Sequence, residues 1–75
     1  MTPAELSTCL RIIRWTPDTL ADALECDISL ILAWLEGVEP VPLKTKIWLK
    51  AMAQFHEEIE AERPKSLKGK RFMPH

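Results

Sequence analysis

Tyrosine is absent from this 75-residue chain and glycine occurs only twice. Both facts suit an all-helical protein, because strands and their tight turns draw heavily on aromatic residues and glycine. Cysteine is scarce too. Cys9 and Cys26 are too few for a disulfide scaffold, and each falls within an apolar pattern, where a free thiol acts as a small buried hydrophobe. His56 and His75 have no cysteine or carboxylate partners at metal-ligand spacing. Gly37 and Gly69 stand alone, so there is no glycine-rich phosphate loop. Ser7, Ser29 and Ser66 lack the histidine and aspartate of a nucleophilic triad. The expectation is a protein that is not an enzyme and takes no metal or cofactor. The longest nearly apolar run, residues 28–35, is far short of a bilayer span. The start, MTPAELST, lacks the basic and apolar regions of a signal peptide. A cytoplasmic protein with no membrane partner is therefore expected.

A chain of this length makes one small domain that buries about 60–65% of its unfolded surface and gains from a partner. Its net charge of −1 hides an uneven distribution. Residues 1–62 carry five basic and eleven acidic side chains, a balance of −6; residues 63–75 carry Arg63, Lys65, Lys68, Lys70 and Arg71 and no acid, a balance of +5. A basic tail on an acidic body is the asymmetry of an interaction arm.

Residues 16–37, TPDTLADALECDISLILAWLEG, organise the rest. Thr16 is an N-cap with Pro17 in the first turn, and Leu20, Ala21 and Leu24 share one face. Glu25-Cys26-Asp27 breaks that pattern. Asp27 caps a second helix whose stripe is Ile31, Trp34 and Leu35, and Gly37 supplies the positive φ past its end. Two helices of about eight residues joined by a three-residue turn form a helix-turn-helix unit. It holds no lysine or arginine and five acids: Asp18, Asp22, Glu25, Asp27 and Glu36.

The order and gapless spacing of Leu20-Ala21, Leu24, Ile31, Trp34 and Gly37 resemble the lambda-repressor-like helix-turn-helix family of Cro- and Xre-type regulators. The likeness covers residues 4–55. It implies a compact bundle of four or five short helices that binds double-stranded DNA as a homodimer. By the same likeness, Ile28, Ser29, Leu30, Leu32 and Ala33 fall at or near the DNA-facing positions of the second helix. Only Ser29 among them can hydrogen-bond to a base edge; Ile28, Leu30, Leu32 and Ala33 offer contact with thymine methyls. The same apolar surface also fits a protein partner, or a core face covered by another helix.

The flanks complete the expectation. Residues 3–14 read as a helix, opened by a Thr2…Glu5 capping box and Pro3, with Leu6, Cys9, Leu10 and Ile13 as its core face. Arg11 and Arg14 lie on the other side, either solvated or in contact with phosphate. Trp15 is expected to pack over the start of the next helix. Pro40 and Pro42 stiffen a connector to a long helix over residues 43–62. Within it, Lys44 and Lys46 are the best phosphate candidates in the body. Trp48, Met52, Phe55 and Ile59 form one stripe and Leu43, Ile47 and Ala51 another. One stripe is expected to close the core, and a symmetric dimer through Trp48, Met52, Phe55 and Ile59 to cover what the body cannot. Glu57, Glu58, Glu60 and Glu62 oppose the helix dipole, which favours fraying. Residues 63–75 are expected to be a flexible tail, either a solubilising segment or an arm in which Lys68, Lys70 and Arg71 track DNA phosphates, with Phe72 as an anchor.

Overall fold

A computed structural model describes residues 1–74; the His75 end of the expected tail lies outside the described residues. Four helices and no strand are present among them: α1 (Pro3–Ile13), α2 (Pro17–Leu24), α3 (Ile28–Leu35) and α4 (Leu43–Glu60). The three short helices start as the sequence leads one to expect. The hydroxyl of Thr2 accepts the Glu5 N–H at 3.1 Å, that of Thr16 accepts the Thr19 N–H at 3.2 Å, and the Asp27 carboxylate accepts the Ser29 N–H at 2.8 Å. Each cap satisfies a donor that the helix leaves free. No side chain caps α4, which starts after Pro42.

The three helix ends share one device. At α1, the Trp15 N–H reaches the Leu10 carbonyl and the Arg14 N–H that of Arg11; at α2, Cys26 reaches Ala21 and Glu25 reaches Asp22; at α3, Val38 reaches Ala33 and Gly37 reaches Trp34. This double bond pattern is the Schellman motif, and it requires a left-handed residue at its turn. Only the third motif has a glycine there, Gly37 at φ 77°. Arg14 at φ 60° and Glu25 at φ 55° fill the other two. They therefore carry the steric cost of placing a Cβ in left-handed backbone. The 16–37 unit thus makes its turn without the glycine such turns favour.

Helix α1 packs its one apolar face against both α3 and α4, while α2 packs against α3. The buried core is Leu6, Cys9, Leu10 and Ile13 from α1, Leu20 and Ala21 from α2, Ile31 and Trp34 from α3, and Leu49 and Ala53 from α4. The first three contributions match the expected faces, with Leu24 and Leu35 half-buried at the edge. Burial raises the Cys9 thiol above its usual range, as expected of a packing residue rather than a reactive one. The indole nitrogen of Trp34 is buried without a hydrogen-bond partner.

The long helix departs from expectation. Neither of its conspicuous stripes closes the core; the narrow line of Leu49 and Ala53 does, with half-buried Met52 and His56 beside it. A single helix of eleven residues, α1, offers only one groove. A small residue at Ala53 lets two backbones come close in it. Helix α1 stops one residue earlier than expected, at Ile13, and α4 stops at Glu60, two residues early, where its acids oppose the dipole. Trp15 packs against the core and stands edge-on to Trp48 of α4, with ring centroids 5.9 Å apart.

Replacing Glu25 with glycine relieves the left-handed turn while leaving every packed side chain in place. Glu25→Gly is expected to stabilise the protein by about 0.5–1 kcal/mol. The check is a thermal melt, in which the midpoint rises by about 3–6 °C; a midpoint that falls overturns the strain argument.

Candidate nucleic-acid interface

Glu25, Cys26 and Asp27 join α2 to α3, and α1 holds α3 from behind. That arrangement turns one face of α3 outward. Ser29, Leu30 and Leu32 are exposed there, Leu30 to 38% and Leu32 to 43%. Ile28 and Ala33, also expected at DNA-facing positions, are half-buried, and Ile28 packs against the core. The middle of the outward face of α3 is therefore Ser29, with Leu30 and Leu32 on opposite flanks of it, roughly 160° apart round the helix.

The electrostatics of this front are set by Asp27. Its carboxyl is held below the usual carboxylate range, first by the Ser29 backbone N–H and then by the Ser29 hydroxyl. A helix N-terminus is ordinarily a place for an outside anion. Here the chain supplies its own anion, directly beside Ser29. The start of α2 is similarly self-satisfied: the Thr16 hydroxyl takes the Thr19 N–H and pairs with the Thr19 hydroxyl at 3.0 Å, Pro17 has no N–H to offer, and Asp18 is exposed.

The cations lie around this unit rather than in it. Arg11, on α1, and Lys44, on the first turn of α4, are exposed; Lys46 is half-buried. Among the described residues no ion pair joins any of the three to an acid. Lys50, by contrast, meets Glu5 at 3.3 Å, and it is the first cause, ahead of the Thr2 backbone, of a lowered Glu5 carboxyl. Arg14 sits near the acidic end of α4. There the Glu60 carboxyl is lowered chiefly by its pairing with Arg63 and least by Arg14. Lys68, Lys70 and Arg71 are exposed in the segment after α4, where the Lys70 N–H closes a turn on the Leu67 carbonyl at 3.1 Å.

Of the residues expected at a dimer contact, Phe55 and Ile59 are well exposed, Trp48 is at the margin, and Met52 is half-buried. Phe55, Ile59 and Met52 line an open cleft of about 280 Å³ with Ile13, Trp15 and His56. A second cleft, of about 320 Å³, lies between α1 and Lys50. Neither cleft includes a residue of α3. No cluster of three or more metal-ligating side chains exists among the described residues, and no helix there is long and apolar enough to cross a membrane.

Comparisons with protein families, with curated proteins and with solved structures find no match to this chain.

The Asp27 cap gives a pH signature. A carboxyl whose folded value lies below its unfolded one stabilises the fold above the ordinary carboxylate range, and this contribution disappears as pH falls through the lowered folded value. Asp27→Ala is expected to lower the thermal midpoint at neutral pH, with the gap to the parent protein closing in acid. Melts across pH 7 to pH 2 check this, and a gap that stays constant rules out the charged cap as its source.

Proposed function

We propose that the chain is a small DNA-binding transcriptional regulator of the lambda-repressor-like type, working in the cytoplasm as a homodimer with α3 in the major groove. What supports this reading is one observation: α2 and α3 pack together across a three-residue turn, with α3 held outward on α1. In this reading Ser29 contacts a base edge, while Leu32, with the smaller exposed parts of Ile28 and Ala33, meets thymine methyls. Affinity comes mainly from Arg11, Arg14, Lys44 and Lys46, with Lys68, Lys70 and Arg71 following the backbone as an arm. Binding built this way depends steeply on salt, because each neutralised phosphate releases counterions.

A second reading is favoured by a specific feature. The exposed leucines on both flanks of α3, Leu30 and Leu32, and the absence of any lysine or arginine from residues 16–37 suit an apolar protein partner, as in an antiactivator or antitoxin-like module.

Fluorescence anisotropy separates the two. Duplexes from upstream of the protein's own gene and scrambled controls are titrated at two salt concentrations. Under the first reading, Ser29→Ala with Lys44→Ala and Lys46→Ala weakens binding and flattens the salt slope by about 0.9 for each phosphate left without its lysine. Asp27→Asn, which keeps a capping side chain without its charge, tightens binding. Affinity unchanged by the triple substitution sinks this docking. Failure of Leu32→Asp to capture a partner that the parent chain captures, with no preference for the upstream duplex, establishes the second reading.

A further inference from the structure

The outer face of α4 has an internal symmetry that the body of the protein does not use. Leu49 and Ala53, its two buried residues, each lie two positions from Ala51, roughly 160° round the helix from it. Ala51 thus marks the middle of the face opposite the core, and it is exposed. Ile47 and Phe55 flank it by four residues on either side, roughly 40° left and right of its direction, and are 59% and 63% exposed. Further out, Lys44 and Glu58 fall seven residues either side, roughly 20° from the same direction. The face therefore reads cation, large apolar, small, large apolar, anion, centred on Ala51. Its charges are also segregated: α4 carries Lys44, Lys46 and Lys50 before Ala51 and Glu57, Glu58 and Glu60 after it.

We propose that this face binds a second copy of the chain, with the two α4 helices antiparallel and crossing at Ala51. The proposal rests on the self-association in the reading above but not on DNA binding. A two-fold axis through the Ala51 pair sets Ile47 of one copy beside Phe55 of the other, and Lys44 beside Glu58, each pairing occurring twice; Lys44 then answers Glu58 rather than a phosphate, which leaves Arg11, Arg14 and Lys46 as the body's phosphate contacts. Ala51 at the crossing point lets the backbones approach, and the large side chains on each side of it fill the space the crossing leaves. A parallel pair would instead set Lys44 against Lys44 and Glu58 against Glu58. Within one chain these two residues are about 21 Å apart along the helix and cannot meet, so any coupling between them reports pairing between copies. This shifts the dimer interface from the expected Trp48, Met52, Phe55 and Ile59 stripe to one centred on Ile47, Ala51 and Phe55. Met52 stays with the cleft beside Ile13, and Trp48 stays at the margin.

Sedimentation of the full chain without DNA, over a concentration series, is the test. The parent protein is expected to dimerise. Lys44→Glu and Glu58→Lys should each weaken the dimer about tenfold, since each acts at both symmetry-related pairs, and the double exchange should restore it. Ala51→Glu should give a monomer with unchanged helical circular dichroism. In a Cys26→Ser background, Ala51→Cys should form a disulfide-linked dimer under mild oxidation. A parent chain that stays monomeric at every concentration overturns the proposal, even if it binds upstream DNA. Singles that weaken the dimer without rescue by the double exchange overturn the antiparallel register. A dimer that forms as described but ignores DNA upholds the proposal and overturns the regulator reading instead.

Discussion

The burial of one face of α1 against two helices at once is the constraint on which the other elements depend. α1 is the element that packs closely against both α3 and α4, so Leu6, Cys9, Leu10 and Ile13 hold the outward-facing unit and the long helix in one body. The hydrophobic gain from those side chains is shared between two interfaces. α2 is held less directly, through Leu20 and Ala21 and its packing on α3. Glu5 and Lys50 tie the start of α1 to α4 at the surface. In a chain this small, where little of the surface can be withdrawn from water, one helix face shared by two partners is an efficient way to build a core.

The same economy shapes the α3 front. Its N-terminal donors are used by Asp27, and its inward positions by Ile31 and Trp34, so little is left outside except Ser29, Leu30 and Leu32. Positive charge sits at the perimeter, on α1, on the first turns of α4 and after Glu60. The surface thus has one hydroxyl in its middle, a leucine on each flank and positive charge at the rim. Charge at a rim governs how fast and from how far a partner is captured more than how well it is discriminated.

Local chemistry made most of this arrangement readable. Threonine or aspartate followed by proline or an apolar run marked three helix starts, the 3.6-residue period marked the core faces of α1 to α3, and Gly37 marked a helix end. These signals lie within a few residues of what they determine. Two features were not readable. Arg14 and Glu25 carry no sign of left-handed backbone, because the pull toward that conformation comes from the Schellman hydrogen bonds and the packing around them. The core line of α4 was hidden by its neighbours: Trp48, Met52, Phe55 and Ile59 make a longer and bulkier stripe than Leu49 and Ala53, and only the shape of the α1 groove decides which line is covered. For the α3 front, the lack of lysine and arginine was plain from the sequence, whereas the engagement of Ser29 by Asp27 needed the geometry of the cap.

The edge-on packing of Trp15 on Trp48 has a consequence for observing the molecule. The two indoles belong to different parts of the chain, one just past α1 and one on α4, and they lie 5.9 Å apart with planes inclined at 63°. Chromophores that close and that inclined share their excitation, so their electronic transitions split into a coupled pair whose optical sign depends on their mutual angle. The junction on which the body depends thus carries an intrinsic chiroptical reporter. Separation of α4 from α1 would erase that coupled signal while each helix still absorbed as a helix. Loss of the coupled signal, set against loss of the helical one as the protein unfolds, therefore shows without any label whether α4 leaves α1 before the helices melt.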